Sequence, residues 1–207
     1  MICDYIEIGC SDFNTEIQKA DDNTIGLSIE PLKIYLDKLP DKQNCIKINV
    51  AISNYNGECK INYIPPEKII KYRLPSWAKG CNSIGKHTLH DLLLKDSKIN
   101  KFNISPDDLY TTQDCKVKTL FTIIKEHNVQ QIKYLKIDTE GHDLIILNKF
   151  FDDIKDFPNL YPSKIQFEFW KHLDNTKEQH KQFIKDIEKY NYKLISWNSD
   201  IILEKII

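Results

Sequence analysis

The chain has 207 residues, a length at which a single domain buries about 70% of the surface that its unfolded form exposes. Hydrophobic residues make up 41% of the sequence and charged residues 29%, which excludes a wholly disordered or fibrous protein. The 29 basic and 30 acidic residues give a net charge of −1, which argues against a dedicated nucleic-acid-binding protein. Because Arg73 is the only arginine, bidentate recognition of phosphate or guanine has one candidate donor.

The sequence favours a protein of a reducing, cytoplasmic compartment. No apolar run approaches the roughly 18 residues that cross a bilayer, and Asp4 and Glu7 interrupt the N-terminal apolar run, so we expect neither a membrane span nor a signal peptide. The six cysteines form no CxxC pair and have no histidine at zinc-site spacing. We therefore expect buried, reduced thiols rather than a disulfide framework or a structural zinc site.

Short apolar runs that alternate with helical patterns predict an α/β domain with a mostly parallel sheet. The elements predicted for the first quarter of the chain are, in order, a strand at Tyr5–Ile8, a helix at Asn14–Lys19, a strand at Thr24–Ile29, a helix at Leu32–Leu39 and a strand at Cys45–Ile52. Asn56-Gly57 is a turn signal, and Cys59–Ile64 alternates like one arm of a hairpin.

The middle of the chain is less regular. Pro65-Pro66 opens a segment that extends to about His87 and contains further prolines and glycines. A loop of this length inside a compact domain is usually functional or disordered, so we expect an insertion-like loop at about residues 65–87. The elements predicted after it are a helix at Thr119–Glu126, a strand at Tyr134–Asp138, a helix at Asp143–Phe151, a strand at Lys164–Phe169, a helix at Thr176–Tyr190 and a closing hairpin of Tyr192–Trp197 with Ile201–Ile206.

The first candidate site is the segment Glu7–Asp12, at the end of the first strand. Gly9 lets the backbone approach a ligand closely, and the next helix offers unpaired N–H groups. Only the first glycine of a dinucleotide fingerprint is present, since Ser11 and Asn14 occupy the other two positions. The carboxylates of the segment disfavour a pyrophosphate and favour a cationic ligand. The alternative is an ordinary corner between a strand and a helix.

The second candidate is Glu30, which ends the second strand 21 residues after Gly9. An acidic residue at about this distance binds the ribose hydroxyls in nucleotide-binding α/β folds, and Pro31 stiffens the turn that carries it. The alternative is a carboxylate that stabilises a helix N-terminus through the helix dipole. The spacing from Gly9 favours nucleoside binding.

The third candidate is the segment Leu135–Asp143, where several ionisable residues surround Gly141 at the end of the fourth parallel strand. Ligands of open α/β sheets bind outside the carboxyl ends of the strands, so these side chains face the expected site. The alternative is that one carboxylate caps the following helix and that another pairs with Lys136. Capping requires one such residue rather than a cluster, which favours a functional role.

These segments resemble the S-adenosylmethionine-dependent methyltransferases of the FkbM type. The resemblance covers nearly the whole chain, and its most specific part is LKIDTEGHD; the other segments are EIGCSDFNT, LSIEP, INVAISNYNGE and VKTLFTIIKEHNVQQIKY. It implies a single domain over residues 1–207 with a Rossmann-like class I methyltransferase fold, in which a mostly parallel seven-stranded sheet is closed by an antiparallel C-terminal hairpin. Phe13 departs from the family pattern, which has a second glycine at that position.

The resemblance also implies site residues. Glu7 and Gly9 would line the methionine end of S-adenosylmethionine, Glu30 would hold the ribose, and Asp138 and Glu140 would lie nearest the transferred methyl group. Ala51 and Ile52 would flank the adenine, with Ser53 close by. The full set implied for the cofactor is Glu7, Gly9, Cys10, Ser11, Asp12, Glu30, Pro31, Ala51, Ile52 and Asp138. The candidate catalytic residues are Asp138, Glu140 and His142, with Asp138 preferred as the general base and His142 second.

A metal ion is considered and not favoured. Asp138 and Glu168 end neighbouring strands and could share a divalent cation, as in catechol-type methyltransferases. We favour the alternative in which Glu168 meets Lys136 or a backbone donor.

The expected acceptor is a sugar or another small hydroxyl compound. An aromatic residue with several polar donors in the long loop suits a carbohydrate, although Trp77 could equally anchor the loop in the core; the candidate substrate residues are Arg73, Trp77, Asn82, Ser83 and His87. We expect neither membrane nor nucleic-acid partners, and an oligomer is compatible with the sequence. The rival functions are a nicotinamide oxidoreductase, an RNA 2′-O-methyltransferase and a non-catalytic subunit that binds S-adenosylmethionine.

Overall fold

The computed structural model describes residues 1–85, 105–169 and 176–206. The chain divides into two compact units, which we call the larger unit (Met1–Gly57 and Lys116–Ile207) and the smaller unit (Glu58–Cys115). None of the helices in the described residues combines the length and the apolar composition that crossing a membrane requires.

The larger unit is built on a seven-stranded sheet. Its strands, numbered along the whole chain, are β1 (Ile2–Ile8), β2 (Gly26–Ile29), β3 (Cys45–Ile48), β8 (Gln131–Ile137), β9 (Lys164–Glu168), β10 (Tyr192–Trp197) and β11 (Asp200–Lys205). The order across the sheet is β10-β11-β9-β8-β1-β2-β3. The neighbours among β3, β2, β1, β8 and β9 pair in parallel, whereas β11 is antiparallel to both β9 and β10. The predicted α/β class and the seven-stranded sheet are therefore confirmed.

The helices of the larger unit cover both faces of this sheet. They are α1 (Glu16–Lys19), α2 (Lys33–Leu36), α5 (Leu120–Glu126), α6 (Asp143–Asp153) and α7 (Thr176–Ile187), with short 3₁₀ turns at Pro158–Leu160 and Glu188–Tyr190. Two helices begin at capping threonines: the Thr15 hydroxyl accepts from the N–H of Gln18, and the Thr119 hydroxyl accepts from the N–H of Thr122.

The alternation along β1 places its side chains in hydrophobic clusters on both faces of the larger unit's sheet. Ile6 and Ile8 point to one face of the sheet and join the large core beneath α5, α6 and α7. Tyr5 points to the other face and packs with Ile17 of α1 and Leu36 of α2. Strands that are buried on both faces read as continuous apolar runs, as expected for the centre of a parallel sheet.

The elements in and next to the smaller unit are β5 (Gly57–Tyr63), α3 (Pro66–Lys71), a 3₁₀ turn at Ser76–Lys79, β6 (Ser83–Ile84), α4 (Pro106–Leu109) and β7 (Thr111–Lys118). β5 pairs antiparallel with β6, as expected for the hairpin arm predicted at Cys59–Ile64, whereas the sequence did not predict the other elements. The segment interpreted as a long loop thus holds a helix, a 3₁₀ turn and a short strand within residues 65–85. Pro66 begins α3 at a position where the missing N–H costs nothing, so Pro65-Pro66 starts a helix here rather than a loop.

The predicted third strand is also divided. Cys45–Ile48 pairs with β2, and β4 (Ala51–Ile52) instead pairs in parallel with Val117 and Lys118 at the end of β7. The break falls at Asn49, whose side-chain amide donates to the carbonyl oxygens of Glu30 at 2.9 Å and Pro31 at 2.8 Å. These contacts hold the chain at the end of β3 beside the end of β2.

Gly9 brings β1 and β8 together immediately after their last paired residues. It has φ +77°, and a Cβ atom on it would lie 1.9 Å from the backbone carbonyl oxygen of Asp138. The N–H of Gly9 donates to the carbonyl of Ile29 at 2.9 Å, and the N–H of Asp138 donates to that of Ile8 at 3.0 Å. No side chain fits between these backbones, so this corner requires glycine.

We predict that Gly9→Ala lowers the free energy of unfolding by more than about 4 kcal/mol, because the new methyl group must displace backbone. Gly85→Ala is the matched control: Gly85 has φ +83° with nothing within 4 Å of an added Cβ, so only conformational strain of about 1–2 kcal/mol is expected. Urea denaturation followed by circular dichroism measures both variants. Equal losses in the two variants would contradict the close approach at Gly9.

Candidate functional site

The ends of three neighbouring strands meet at one edge of the larger unit's sheet. Ile8, the last residue of β1, pairs with Ile29 on one side and Ile137 on the other. The next residues along the three strands are Gly9, Glu30 and Asp138, which lie close together because the strands are parallel. The residues that the sequence singled out in three separate segments are therefore brought to one place.

Glu30 is a buried carboxylate held by backbone N–H groups. It is 2% exposed and accepts hydrogen bonds from the N–H of Ser11 at 2.8 Å and of Leu32 at 2.9 Å, one at each oxygen. Burial raises its pKa to about 7, although these two hydrogen bonds oppose the rise. Each carboxylate oxygen can accept more than one hydrogen bond, so Glu30 keeps acceptor capacity for a ligand.

The corner between β1 and α1 is strained and contains a buried polar atom. Ser11 has φ +49° and Asn14 has φ +54°, a conformation that residues other than glycine seldom adopt. The Ser11 hydroxyl is buried without a hydrogen-bond partner among the described residues. A buried hydroxyl of this kind costs free energy unless something binds it, which makes Ser11 a candidate ligand contact.

Two other residues of this corner have structural partners. Cys10 is 4% exposed, packs in the core beneath α1 and α2, and donates from Sγ to the carbonyl oxygen of Ile29 at 3.7 Å. Burial raises the pKa of its thiol, so it is an inert core thiol. The carboxylate of Asp12 lies 3.1 Å from the ammonium of Lys38.

Glu7 joins three elements of the larger unit. It is 1% exposed, and its carboxylate lies 2.8 Å from the Lys136 ammonium and accepts from the N–H of Glu16 at 2.8 Å. Burial raises the pKa of Glu7, while Lys136 and the Glu16 N–H oppose that rise. Both oxygens are engaged within the protein. Lys136 therefore pairs with Glu7, whereas the sequence analysis expected a carboxylate of Leu135–Asp143 or Glu168 as its partner. The charge of Glu7 is therefore largely balanced by the charge of Lys136.

Asp143 fixes the loop that follows β8. Its carboxylate is 2% exposed and accepts from the N–H and hydroxyl of Thr139 on one oxygen and from the N–H of Glu168 on the other. Burial raises its pKa, and these donors oppose the rise. Asp143 therefore clamps the β8–α6 loop to the end of β9, a role that the sequence analysis did not assign.

Glu140 lies among carboxylates on this loop with φ +55°. Burial first, and then the neighbouring Glu168, Asp138 and Asp143, raise its pKa to about 10. A carboxyl group with this pKa is protonated at neutral pH and can donate a hydrogen bond.

Asp138 is solvent-exposed, yet protein surrounds it closely enough to raise its pKa to about 7. Limited hydration is the main cause, followed by the charge of Asp143, and Lys136 opposes both. A carboxylate with a pKa near neutrality can both accept and release a proton.

His142 is the N-cap residue directly before α6, and it contacts Ser53, which follows β4. The Nε2 atom of His142 lies 2.9 Å from the hydroxyl of Ser53, and that hydroxyl donates to the side-chain oxygen of Asn54 at 3.2 Å. With the Ser53 proton directed to Asn54, the imidazole donates from Nε2 and keeps Nδ1 as an acceptor. Burial lowers the pKa of His142, so the ring is neutral at neutral pH.

The remaining predicted residues lie in different surroundings. Ala51 and Ile52 are each 3% exposed, and Pro31 is half-buried. The candidate substrate residues Arg73, Trp77, Asn82 and Ser83 lie in the smaller unit, and His87 lies outside the described residues. Within the described part of the chain, no three His, Cys, Asp or Glu side chains form a group that could hold a metal ion. The cation hypothesis for Asp138 and Glu168 gains no support from this arrangement.

Asn49 and Asp143 are the residues of this edge that sequence reasoning missed. Asn49 is an amide placed directly after a strand, where it bonds two carbonyl groups of the neighbouring strand end. Asp143 was recognised only as part of an acidic segment, because the residue that it clamps, Glu168, is 25 residues away in the chain.

We predict that the protein loses stability as the pH rises from about 6.5 to 8. The pKa values of Glu30 and Glu140 are raised in the folded state, so the folded protein binds more protons than the unfolded chain. Their stabilisation is present at low pH and is lost as the pH rises through the raised values, by roughly 1.4 kcal/mol per pH unit for each proton. Urea denaturation at several pH values measures the slope.

Glu140→Gln tests the contribution of one group, because glutamine resembles the protonated acid. The variant should show a smaller loss of stability between pH 6.5 and 8 than the parent protein. The same slope in both proteins would mean that Glu140 is ionised in the folded state and that the assigned raised pKa is wrong.

Comparison with known proteins matches the sequence to a protein family. Residues 7–194 match the family described as the Methyltransferase FkbM domain, a range that includes the ends of all three strands. No curated protein and no solved structure matches the chain.

Proposed function

Because the chain belongs to the FkbM methyltransferase family, we propose that it transfers a methyl group from S-adenosylmethionine to a hydroxyl oxygen of a sugar or glycan. We also propose that its sheet is the Rossmann-like sheet of class I methyltransferases. The strand order and the antiparallel β10-β11 pair support that assignment. The single observation that carries the proposal is the meeting of Gly9, Glu30 and Asp138 at one sheet edge.

The residues of this edge fit an adenosine group. Gly9 keeps side-chain atoms away from the backbone, the Ser11 hydroxyl is a buried polar atom with unused bonding capacity, and Glu30 retains acceptor capacity for the two ribose hydroxyls. Only 2% of Glu30 is exposed, so a ligand can reach it only after the side chains that cover it move locally. We assign Gly9, Ser11 and Glu30 as the primary cofactor contacts.

Methyl transfer requires the protein mainly to align the acceptor hydroxyl and to accept its proton. S-adenosylmethionine carries a methyl group already activated by its sulfonium, so the chain must orient the acceptor hydroxyl and accept its proton. Orientation of this kind supplies about 7–11 kcal/mol, and a general base adds about 10²–10⁴-fold in rate. We assign Asp138 as that base, because it is accessible and its pKa of about 7 suits proton transfer near neutrality. His142, neutral with Nδ1 as an acceptor, is the second candidate.

The exposed residues of the smaller unit suit a carbohydrate acceptor. Trp77 is 46% exposed, which argues against the alternative that it anchors the segment in a core. An exposed aromatic ring suits the apolar face of a sugar, and Arg73, Asn82 and Ser83 supply polar groups in the same unit.

One observation favours a second function. Phe13 is 46% exposed and occupies the position of the second glycine of the family pattern, where it would crowd the methionine end of the cofactor. A chain that binds the cofactor without transferring its methyl group is therefore the alternative proposal. The balanced net charge of −1 does not favour an RNA acceptor.

We predict that Glu30→Ala weakens the binding of S-adenosylhomocysteine by about 10–150-fold, as the loss of hydrogen bonds worth roughly 1.5–3 kcal/mol requires. Isothermal titration calorimetry measures the affinity. Glu178→Ala is the control, because Glu178 lies on α7 in an exposed ion pair with Lys181 and should bind as the parent does. An unchanged affinity in Glu30→Ala would remove the ribose assignment.

We predict that Asp138→Asn lowers the methyl-transfer rate by about 10²–10⁴-fold, because asparagine cannot accept the hydroxyl proton. Affinity for S-adenosylhomocysteine should change much less than the rate. Asp153→Asn, which removes an ion pair with Lys149 at the end of α6, should retain the parent rate. A panel of methyl-labelled reactions with sugars measures the rates, and a fully active Asp138→Asn protein would place the base elsewhere.

A further inference from the structure

Two strands of the smaller unit bring two cysteines to opposite positions. β5 and β7 are neighbours in their sheet, and two contacts give their direction: the Asn56 side-chain oxygen accepts from the N–H of Thr119 at 2.9 Å, and the Lys60 ammonium lies 2.9 Å from the Asp114 carboxylate. Residue numbers therefore rise along β5 as they fall along β7, so the strands are antiparallel. Taking Lys60 and Asp114 as opposite residues places Cys59 opposite Cys115.

The two cysteines also share one face of the sheet. Successive side chains on a strand alternate between faces, so Cys59 and Cys115 lie on the face opposite the Lys60–Asp114 ion pair. Both cysteines are half-buried, whereas the residues beside them on each strand are exposed, namely Glu58, Lys60, Asp114 and Lys116. Burial, followed by the nearby Cys115 and Asp114, raises the pKa of the Cys59 thiol to about 11, which agrees with a close approach of the two sulfur atoms.

The spacing of opposite residues on antiparallel strands suits a disulfide. Their Cα atoms are about 4.5–5.5 Å apart, within the range of about 4.4–6.8 Å that disulfides span. The position of the pair is equally specific. The smaller unit extends from Glu58 to Cys115, so the two thiols lie where the chain enters and leaves it.

We propose that Cys59 and Cys115 are a disulfide-forming pair that closes the smaller unit into a covalent ring, with a low-molecular-weight disulfide as the oxidant. One cysteine thiolate attacks a sulfur of the oxidant, forming a mixed disulfide and releasing one small thiolate. The second cysteine thiolate then attacks the protein sulfur of the mixed disulfide and releases the other small thiolate. The two cysteine protons pass to the released thiolates, so two protein thiols are oxidised and one small disulfide is reduced to two thiols.

The remaining thiols are poorly placed to compete. All six cysteines lie in described residues, and the other four are at most 9% exposed: Cys3, Cys10, Cys45 and Cys81. Attack on a dissolved disulfide requires an accessible thiolate, so the half-buried pair on β5 and β7 reacts first. The inference does not depend on the proposed methyl transfer.

The bond would stabilise the smaller unit by restricting its unfolded state. It joins residues 59 and 115 and so encloses nearly every residue of that unit in one ring. Cross-links that close long loops give the largest entropic stabilisation. The candidate acceptor residues Arg73 and Trp77 lie within the ring, so the oxidation state of the pair would act on the part of the chain assigned to the acceptor.

The test is incubation of the whole protein with oxidised glutathione at about pH 9, where enough thiolate is present for exchange. Peptide mass spectrometry should find a Cys59–Cys115 linked peptide two mass units lighter than the sum of its reduced parts. The melting temperature should rise by about 5–10 °C and return to its starting value after reduction with dithiothreitol.

Three variants separate this bond from general thiol oxidation. Cys59→Ser and Cys115→Ser should each keep a single glutathione adduct and show no rise in melting temperature, whereas Cys81→Ser should behave as the parent protein does. Two glutathione adducts on the parent protein, with no internal link, would overturn the proposal. So would a linked peptide that contains Cys81.

Discussion

The approach of the Gly9 backbone to the carbonyl oxygen of Asp138 is the constraint on which the rest of the site depends. The two strand ends can meet only because no side chain stands between them. Their meeting places the Ser11 N–H against Glu30 and the backbone of Asp138 beside the end of β1. A bulkier residue at position 9 would separate the carboxylates of β2 and β8 from the corner that carries Ser11. The geometry of the site therefore follows from one glycine and from the parallel pairing of three strands.

Carboxylates at the edge of the sheet differ in the groups that surround them. Glu7 has a lysine partner, Asp143 has three hydrogen-bond donors, and Glu140 has mainly like charges around it. Burial raises the pKa of all three, and at Glu140 the charges of Glu168, Asp138 and Asp143 add to this effect and raise the pKa to about 10. Carboxylates at this edge favour a cationic ligand over an anionic one. This agrees with a cofactor that carries a sulfonium, and with the absence of two of the three glycines of the dinucleotide fingerprint.

Local patterns in the sequence were sufficient to predict most elements of the larger unit and its three strand-end motifs. The central strands are apolar and short, and the turns between them carry glycine, proline or a capping threonine, so local propensity agrees with the fold. The strand at Thr111–Lys118 was missed because its residues alternate between polar and half-buried positions without a strong apolar signal. The roles of Asn49 and Asp143 could not be predicted, since each depends on contacts between strand ends that are distant in sequence. Sequence spacing could relate Glu30 to Gly9, but it could not show that backbone N–H groups already occupy both Glu30 oxygens.

The central claim is that the corner formed by Gly9, Ser11 and Glu30 holds the adenosine part of S-adenosylmethionine. A crystal structure of the protein with S-adenosylhomocysteine tests it most directly, because it locates the ribose, the adenine and the sulfur atom at once. The account predicts both ribose hydroxyls within hydrogen-bond distance of the Glu30 carboxylate and the sulfur atom on the side of Asp138. A ligand bound elsewhere, with Glu30 still covered and its contacts to Ser11 and Leu32 unchanged, would contradict it.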